Sequence, residues 1–222
     1  MSKFELFRID LEAKFPEIAK EWHPTKNGTM LPSRVKASSN LKVWWKCKHG
    51  HEWQARIADR TKKHTGCAVC SNHKLLTGFN DLATEFPDIA LEWNYEKNGD
   101  LLPTQVVSGS GKEVWWKCKK GHEWKVSVNT RVNKGNNCPY CQNRRVLVGY
   151  NDLATTNPEL AEEWNYEKNG ELRPTMITHG SGKKVWWKCK HGHEWQATLN
   201  ARSEGNECPV CKAELRLAKK RR

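Results

Sequence analysis

The stretch that decides the fold spans residues 43–53 and reads Val43-Trp44-Trp45-Lys46-Cys47-Lys48-His49-Gly50-His51-Glu52-Trp53. The Cys47 thiol and the His51 imidazole lie on either side of a short glycine-containing turn, and a Cys-x-x-Cys pair follows at Cys67 and Cys70. Thiolate and imidazole are ligands that zinc prefers, and four of them complete a tetrahedral shell. The stretch therefore predicts a zinc site that is closed by protein ligands.

The same pattern occurs three times. Cys47, Cys118 and Cys189 are separated by 118 − 47 = 71 and 189 − 118 = 71 residues, and the 9 cysteines and 12 tryptophans divide equally among the copies. Self-similarity at a fixed period indicates tandem structural units. We predict a first zinc module over residues 1–73, a second over 74–144, and a third over 145–222 that ends in a basic tail.

Comparison of the copies selects the predicted metal ligands. His49 and His191 are candidates, but the second repeat has Lys120 at their position, whereas three other histidines recur. Three cysteines per module cannot all pair within it, so disulfides are disfavoured. We expect three structural zinc ions per chain, and zinc rather than iron. The predicted ligand sets are Cys47, His51, Cys67 and Cys70; Cys118, His122, Cys138 and Cys141; Cys189, His193, Cys208 and Cys211.

Local patterns predict a small α+β unit around each site. Asp81, which is matched by Asp10 and Asp152, is a helix N-cap, and Pro87 divides the helical stretch that follows into two short helices. We expect a short strand over residues 102–107, then a hairpin around the metal turn, then a loop that carries Arg131. A helix is predicted over residues 212–218, and a leader over residues 4–15 replaces the first helix of the first repeat.

Size and composition support metal as a source of stability. A unit of about 70 residues gains little net stability from a hydrophobic core alone. The chain is only 37% hydrophobic, with a mean hydropathy of −0.85. Metal binding energy becomes folding energy when the unfolded chain has no preformed site.

The bulk charge favours polyanionic partners. The formal net charge is +13 and the pI is about 9.4, a balance that favours nucleic acid. No stretch approaches the roughly 18 apolar residues of a membrane span, and the N-terminus has no signal-peptide core. We expect a cytoplasmic protein without a membrane partner or a small-molecule substrate.

The three repeats resemble a family of treble-clef zinc-finger domains, also described as zinc ribbons, whose function is unknown. These domains occur in tandem in bacterial and phage proteins, sometimes beside restriction-endonuclease-like domains. The resemblance rests on the Asn-Asp-Leu-Ala-Thr, Lys-Asn-Gly, Trp-Trp-Lys-Cys, Gly-His-Glu-Trp and Cys-Pro-x-Cys motifs. It implies treble-clef-like zinc fingers and suggests nucleic-acid binding. The first repeat departs from it at residues 8–12 and lacks the proline between Cys67 and Cys70.

The leading functional hypothesis is a nucleic-acid-binding array, with DNA ahead of RNA, in a phage, mobile-element or defence accessory. Lysine and arginine would mainly contact phosphates. For the lysines the alternative is a solvated strand face, and for the arginines it is a salt bridge or cap within the module. The candidate contacts are Lys46, Lys48, Arg60, Lys117, Lys119, Lys120, Arg131, Lys188, Lys190 and Arg202.

Two other hypotheses compete with this one. The tryptophan-rich modules could form a protein-interaction scaffold whose charge serves solubility. An enzyme, most plausibly a nuclease, is disfavoured because closed zinc shells leave no position for an activated water, so we expect no catalysis.

Overall fold

The computed structural model describes residues 10–220, except for the side chain of Lys220. Contacts between residues group this part of the chain into two compact units. One comprises the described residues up to Lys112 together with Ser127–Val132, and the other comprises Glu113–Val126 and the described residues from Asn133 onwards. Some predicted features lie outside the described residues. These are residues 8 and 9 of the first repeat, the start of the predicted leader, and the last two arginines of the tail. The division into three modules stays a sequence prediction.

Short helices and two-stranded hairpins alternate along the chain. The hairpins are β1–β2, β3–β4 and β5–β6, and each forms a separate two-stranded sheet. The strands pair antiparallel in β1–β2 and in β5–β6. The strands are β1 Lys42–Lys46, β2 Glu52–Arg56, β3 Glu113–Lys117, β4 Glu123–Ser127, β5 Lys184–Lys188 and β6 Glu194–Thr198. The helices are α1 Leu11–Lys14, α2 Pro16–Ala19, α3 Ile57–Lys62, α4 Leu82–Glu85, α5 Pro87–Ala90, α6 Tyr95–Asn98, α7 Val128–Asn133, α8 Leu153–Thr156, α9 Pro158–Glu162, α10 Leu199–Ser203 and α11 Pro209–Lys220. These elements confirm the predicted class of small α+β units.

The helix pair at the start of each repeat forms as its sequence predicts. Asp81 caps α4 by accepting from the Thr84 N–H at 3.0 Å, and Asp152 caps α8 in the same way. Burial alone would raise the pKa of Asp81, but hydrogen bonds from Thr84 and Gly78 outweigh it and hold the pKa below its usual value. Pro87 occupies the first turn of α5, where a missing N–H costs no helical hydrogen bond.

Two local predictions are wrong. The stretch over residues 102–107 contains a 3₁₀ helix, Pro103–Gln105, and not a strand. The segment instead contacts the start of the first helix of the repeat, where the Leu82 N–H donates to the Val106 carbonyl at 2.8 Å. The segment that carries Arg131 is the helix α7 and not a loop. The helix directly continues the return strand, and its first residue, Val128, is buried.

Each hairpin sends one of its paired tryptophans into the core. Neighbouring strand residues point to opposite faces, so Trp45 and Trp187 are fully buried, whereas Trp44 and Trp186 are half-buried. Trp45 packs edge-on against Trp22 with ring centroids 5.6 Å apart, and the third repeat repeats this pair with Trp164 and Trp187. The resulting small cores are centred on Leu11, Val43, Trp45 and Ile57 and on Leu153, Trp164, Val185, Trp187 and Leu199.

A buried asparagine joins the end of one repeat to the start of the next. The Asn151 side-chain amide donates to the carbonyls of Tyr140 and Arg145 at 2.9 and 2.8 Å, and its oxygen accepts from the Leu147 N–H at 2.7 Å. Asn80 makes the equivalent three bonds after the first Cys-x-x-Cys turn. Buried backbone groups must be paired, so this one side chain fixes the path of the segment that joins the two repeats, which we call the connector.

We predict that Asn151→Ala loosens the connector over residues 145–149. The substitution leaves two part-buried carbonyls and an N–H without their side-chain partner, at a cost of about 1–3 kcal/mol. Hydrogen exchange at the Leu147 amide and limited proteolysis of the connector should both accelerate. Asn206→Ala, which removes an exposed amide, is the matched control. Equal exchange rates in the two variants would show that the asparagine does not hold the connector.

Candidate metal centres and basic surface

A tight turn between the strands of each hairpin presents a cysteine and a histidine on one side. In the first repeat the Cys47 N–H donates to the His51 carbonyl at 3.0 Å, and the Gly50 N–H donates to the Cys47 carbonyl at 2.9 Å. Gly50 has φ +85°, a conformation that residues with a side chain rarely adopt. We call this turn the knuckle: residues 47–51, 118–122 and 189–193.

The knuckle and the Cys-x-x-Cys turn bring four donors together in the first site. The Nδ1 atom of His51 lies 3.4 Å from Cys47 Sγ, 3.6 Å from Cys67 Sγ and 3.4 Å from Cys70 Sγ. Cys47 Sγ and Cys70 Sγ are 3.7 Å apart, far beyond the roughly 2.05 Å of a disulfide. The four donor atoms all lie within 4.8 Å of one another.

These distances fit a zinc ion. A tetrahedron with zinc–sulfur bonds of about 2.3 Å and zinc–nitrogen bonds of about 2.0 Å has nitrogen–sulfur edges of about 3.5 Å and sulfur–sulfur edges of about 3.8 Å. The four measured edges of the first site match those lengths. With three cysteines and one histidine as protein ligands, such a shell leaves no open position and is structural rather than catalytic.

The second and third sites repeat this arrangement. In the second site the edges from His122 Nδ1 to the three sulfurs are 3.5, 3.2 and 3.5 Å, to Cys118, Cys141 and Cys138 respectively. In the third site His193 Nδ1 lies 3.6 Å from Cys189 Sγ, 3.3 Å from Cys211 Sγ and 3.7 Å from Cys208 Sγ. The prediction of three Cys/His sites that suit structural zinc is confirmed.

The third site also contains a donor outside its predicted ligand set. The donor atoms of Cys189, His191, His193 and Cys211 all lie within 4.8 Å of one another there. Cys208 still has its sulfur 3.7 Å from His193 Nδ1, so the third site has five candidate donors.

The knuckle also prepares its cysteine for metal. Burial raises the pKa of the Cys189 thiol, but the N–H groups of His191 and His193 and the neighbouring thiols outweigh this and lower the pKa to about 7. The pKa of Cys211 is instead raised to about 12, first by lost hydration and then by Cys208 and Cys189. A metal ion must displace that proton, so zinc binding releases protons and weakens in acid.

An aromatic residue from the following repeat covers each of the first two sites. The Phe79 ring packs edge-on against His51 with centroids 4.4 Å apart, and Tyr150 packs against His122 at 4.1 Å. Both residues immediately precede the connecting asparagine described above. The metal site of one repeat is therefore partly built from the next.

The recurring arginine is an internal residue. Arg60, Arg131 and Arg202 are between 5% and 8% exposed, and each guanidinium forms an ion pair with a glutamate from the helical start of its repeat. The pairs are Arg60–Glu21, Arg131–Glu92 and Arg202–Glu163. The guanidinium carbon of Arg202 also lies 5.3 Å from the Trp187 ring centroid and 5.2 Å from that of Trp195. The structure thus places these three predicted contact residues inside the module, as the salt-bridge alternative expects.

The glutamates that hold these arginines are absent from the residues predicted from the sequence, although they recur at a regular spacing. Glu21, Glu92 and Glu163 follow one another at 71-residue intervals. Their recurrence immediately before the first tryptophan of each repeat could have paired them with the recurring arginine.

The lysines of the hairpin fall into two groups. In the first group, the lysine Nζ atom lies near a carboxylate oxygen of the glutamate that follows the zinc-site histidine. The distances are 3.6, 3.7 and 3.9 Å for Lys46, Lys117 and Lys188. Lys48, Lys119 and Lys190 are exposed, and no ion pair involves them within the part of the chain that the structure describes. Lys120 donates to the Tyr150 hydroxyl at 3.1 Å.

The outer tryptophans are partly covered by a lysine. The Nζ atom of Lys26 lies 4.5 Å from the Trp44 ring centroid, and Lys168 lies 4.4 Å from that of Trp186. The same two lysines pair with Glu52 and Glu194, and hydrogen bonds from Lys26 and His23 lower the pKa of Glu52 to about 2. A stacking role for these rings would require the lysine to move.

A small hairpin and a Cys-x-x-Cys turn that enclose one metal ion define a zinc finger. The chain belongs to the family described as "Probable Treble clef zinc finger domain", which matches residues 18–73, 89–144 and 160–214. The predicted resemblance is confirmed, and all three matches contain a complete predicted ligand set. Among the described residues, no helix has the length and apolar character that crossing a membrane requires.

A curated relative comes from a bacteriophage. The protein named "Putative endonuclease" of Escherichia phage T5 is 22% identical over 115 residues, which is 51% of this chain. The matched region is 36% of the phage protein, so the similarity covers little more than a third of that relative.

We predict that removing zinc unfolds the modules. Elemental analysis of the purified chain should find three zinc ions, and a strong chelator should abolish the hairpin signals in NMR spectra and shift tryptophan emission to longer wavelength. Acid should act in the same direction, since protons compete with zinc for the thiolates. Iron in place of zinc, or a fold that survives complete metal removal, would contradict the assignment.

We also predict that Arg202→Ala destabilises the third repeat by about 2–3 kcal/mol, because it leaves a half-buried carboxylate unpaired and removes packing against two tryptophans. Lys190→Ala removes the same charge from an exposed position and should change stability by about 0.5 kcal/mol or less. Denaturant unfolding of the zinc-loaded variants, followed by tryptophan fluorescence, compares them. Similar losses in both variants would mean that the buried pair does not stabilise the repeat.

Proposed function

We propose that this chain is a zinc-dependent nucleic-acid-binding protein, with DNA ahead of RNA as its ligand, in which the zinc sites are structural and lysines make the contacts. One observation carries the proposal. Within the three stretches that match the family, four cationic positions recur in every repeat, represented in the first by Lys26, Lys46, Lys48 and Arg60. Three of them are engaged with glutamates in the first and third repeats, whereas the fourth has no ion pair within the described residues.

That fourth position is well placed for a phosphate contact. Lys48, Lys119 and Lys190 each follow the first zinc-site cysteine within the knuckle. The backbone there is held by the hairpin hydrogen bonds and by the metal, so the lysine stem extends from a rigid base. A lysine with no internal partner loses no ion pair when it meets a phosphate, whereas Lys46 or Lys188 would have to leave a glutamate.

The last helix supplies a second basic surface. Lys212, Arg216 and Lys219 on α11 are spaced by four and three residues, which places them on one side of a helix. All three side chains are exposed, and none has an ion pair within the described chain. The helix begins one residue after Cys208, so it is attached directly to the third metal site.

The overall charge supports the same partner class. Zinc bound by three thiolates and a neutral imidazole carries a charge of −1, so three loaded sites reduce the formal charge from +13 to +13 − 3 = +10. Lysine contacts to phosphates are independent of sequence, and three tethered modules add avidity without strong individual sites. The name of the phage relative denotes an enzyme that acts on nucleic acid, and we carry over the partner class alone.

We further propose that the chain acts by binding and not by catalysis. The closed Cys/His shells leave no ligand position for a reactive water. The competing function is a protein-interaction scaffold. Capture of a protein partner that persists after nuclease treatment, without any affinity for nucleic acid, would favour the scaffold.

The experiment compares two triple variants of equal charge. Replacement of Lys48, Lys119 and Lys190 by alanine should weaken binding to a random DNA duplex and reduce the slope of log K against log salt by about 2.7, which is three contacts at about 0.9 each. Replacement of Lys46, Lys117 and Lys188 lowers the net charge equally but removes lysines that face glutamates, so its effect should be clearly smaller.

Binding is measured between about 50 and 200 mM salt, the range in which phosphate contacts are strongly weakened, with DNA and RNA duplexes of the same sequence. Circular dichroism and zinc content confirm that both variants are folded. Equal losses of affinity in the two variants would mean that net charge alone explains the effect and that the knuckle lysines have no special role. No binding by the unmodified chain at low salt would remove the proposed function itself.

A further inference from the structure

Two of the three metal sites contain a second histidine that the predicted ligand sets leave out. His49 Nδ1 lies 3.4 Å from Cys70 Sγ in the first site, and His191 Nδ1 lies 3.2 Å from Cys211 Sγ in the third. The His49 and His51 rings are 6.2 Å apart and inclined by 54°, and the His191 and His193 rings show the same values. The same arrangement is thus built twice.

The second histidine lies among the ligands themselves. In the third site the donor atoms of Cys189, His191, His193 and Cys211 are all within 4.8 Å of one another. A nitrogen at that position is close enough to compete for the ion that the cysteines hold. The second site differs, since Lys120 occupies this position and its ammonium group, which has no lone pair, cannot ligate a metal.

The cysteine next to the second histidine is also the most accessible of the three cysteines in its site. Cys70 is exposed and Cys211 is half-buried, whereas Cys47, Cys67, Cys189 and Cys208 are buried. His49 and His191 are exposed, and the His49 ring centroid also lies 5.4 Å from that of Phe79. The outer ligand and its neighbouring histidine can therefore exchange places without disturbing the buried part of the shell.

We propose that His49 and His191 are reserve zinc ligands, which take the place of Cys70 and Cys211 when those thiolates are lost. The exchange converts a Cys₃His site into a Cys₂His₂ site, a set that also holds structural zinc. The site charge changes from −1 to 0, because a neutral imidazole replaces a thiolate.

The proposal makes the three sites unequal. The first and third keep their zinc after loss of the outer cysteine, whereas the second loses it together with Cys141. This difference does not depend on nucleic-acid binding, and it predicts that the second repeat is the one whose fold is most sensitive to its outer thiol.

The test counts zinc in the full-length chain after removal of each outer cysteine. Cys70→Ala and Cys211→Ala should each retain three zinc ions per chain, whereas Cys141→Ala should retain two. The double variants Cys70→Ala/His49→Ala and Cys211→Ala/His191→Ala should retain two. Adding Lys120→His to Cys141→Ala should restore the third ion.

Cobalt substitution reports the identity of the ligands. In Cys211→Ala the sulfur-to-cobalt charge-transfer absorption of the third site should fall by about one third, as three thiolates become two, while the absorption remains that of a tetrahedral ion. Removal of His191 from this variant should abolish the signal of that site.

Two zinc ions in Cys70→Ala and Cys211→Ala would overturn the proposal, because the histidines would then be neighbours and not ligands. Three zinc ions in Cys141→Ala would also overturn it, since the outer ligand would be dispensable without a second histidine. If Cys211→Ala cannot be purified, the Cys141→Ala/Lys120→His chain decides: a recovered third ion supports the reserve ligand, and its absence refutes it.

Discussion

The structure depends on the bonds between one metal ion and two short segments, the knuckle and the Cys-x-x-Cys turn. Neither segment is stable alone. An isolated two-stranded hairpin is marginal in water, and the helices other than α11 are four to six residues long, well below the length at which a helix forms by itself. Metal–ligand bonds replace the apolar contacts that so small a unit cannot supply. The distances between donor atoms in the three sites match those of a zinc tetrahedron, as this dependence on metal requires.

A buried ion pair makes the second connection within the unit. Arg60 and Arg202 extend from the helix after the hairpin, contact two tryptophan rings and pair with a glutamate from the start of the repeat. The pair links the part of the chain that precedes the hairpin to the part that follows it. A charge so far from water is tolerable only with such a partner, and the arginine is thereby removed from the surface that a ligand could reach.

The repeats depend on one another through the same residues that build their sites. Asn80 and Asn151 satisfy the backbone of the preceding Cys-x-x-Cys turn, and Phe79 and Tyr150 cover the preceding histidine. A connector of a few residues thus serves two repeats. In the first two repeats the Cys-x-x-Cys turn leads into a connector. In the third repeat the same turn continues as the basic helix α11, which presents a charged surface.

The sequence by itself determined the features that depend on local spacing and on repetition. These are the ligand types, the number of sites, the N-caps at Asp81 and Asp152, and the proline that starts α5. It did not determine the conformation of residues 102–107, because an apolar pattern of six residues suits a strand and a 3₁₀ segment equally. The sequence also did not show that the helix α7 directly follows the return strand. The burial of Val128 and Arg131 favours the helix there.

Only the tertiary structure decided which charges are available to a partner. Lys46 and Lys48 are two residues apart and both exposed, yet Lys46 Nζ lies 3.6 Å from a Glu52 carboxylate oxygen, whereas Lys48 has no ion pair within the described residues. Arg60 and Lys190 are both recurring cations, yet Arg60 is buried and contacts two tryptophan rings, whereas Lys190 is exposed. A sequence lists the charges, but the free energy of each one depends on the groups that folding brings within a few ångströms of it.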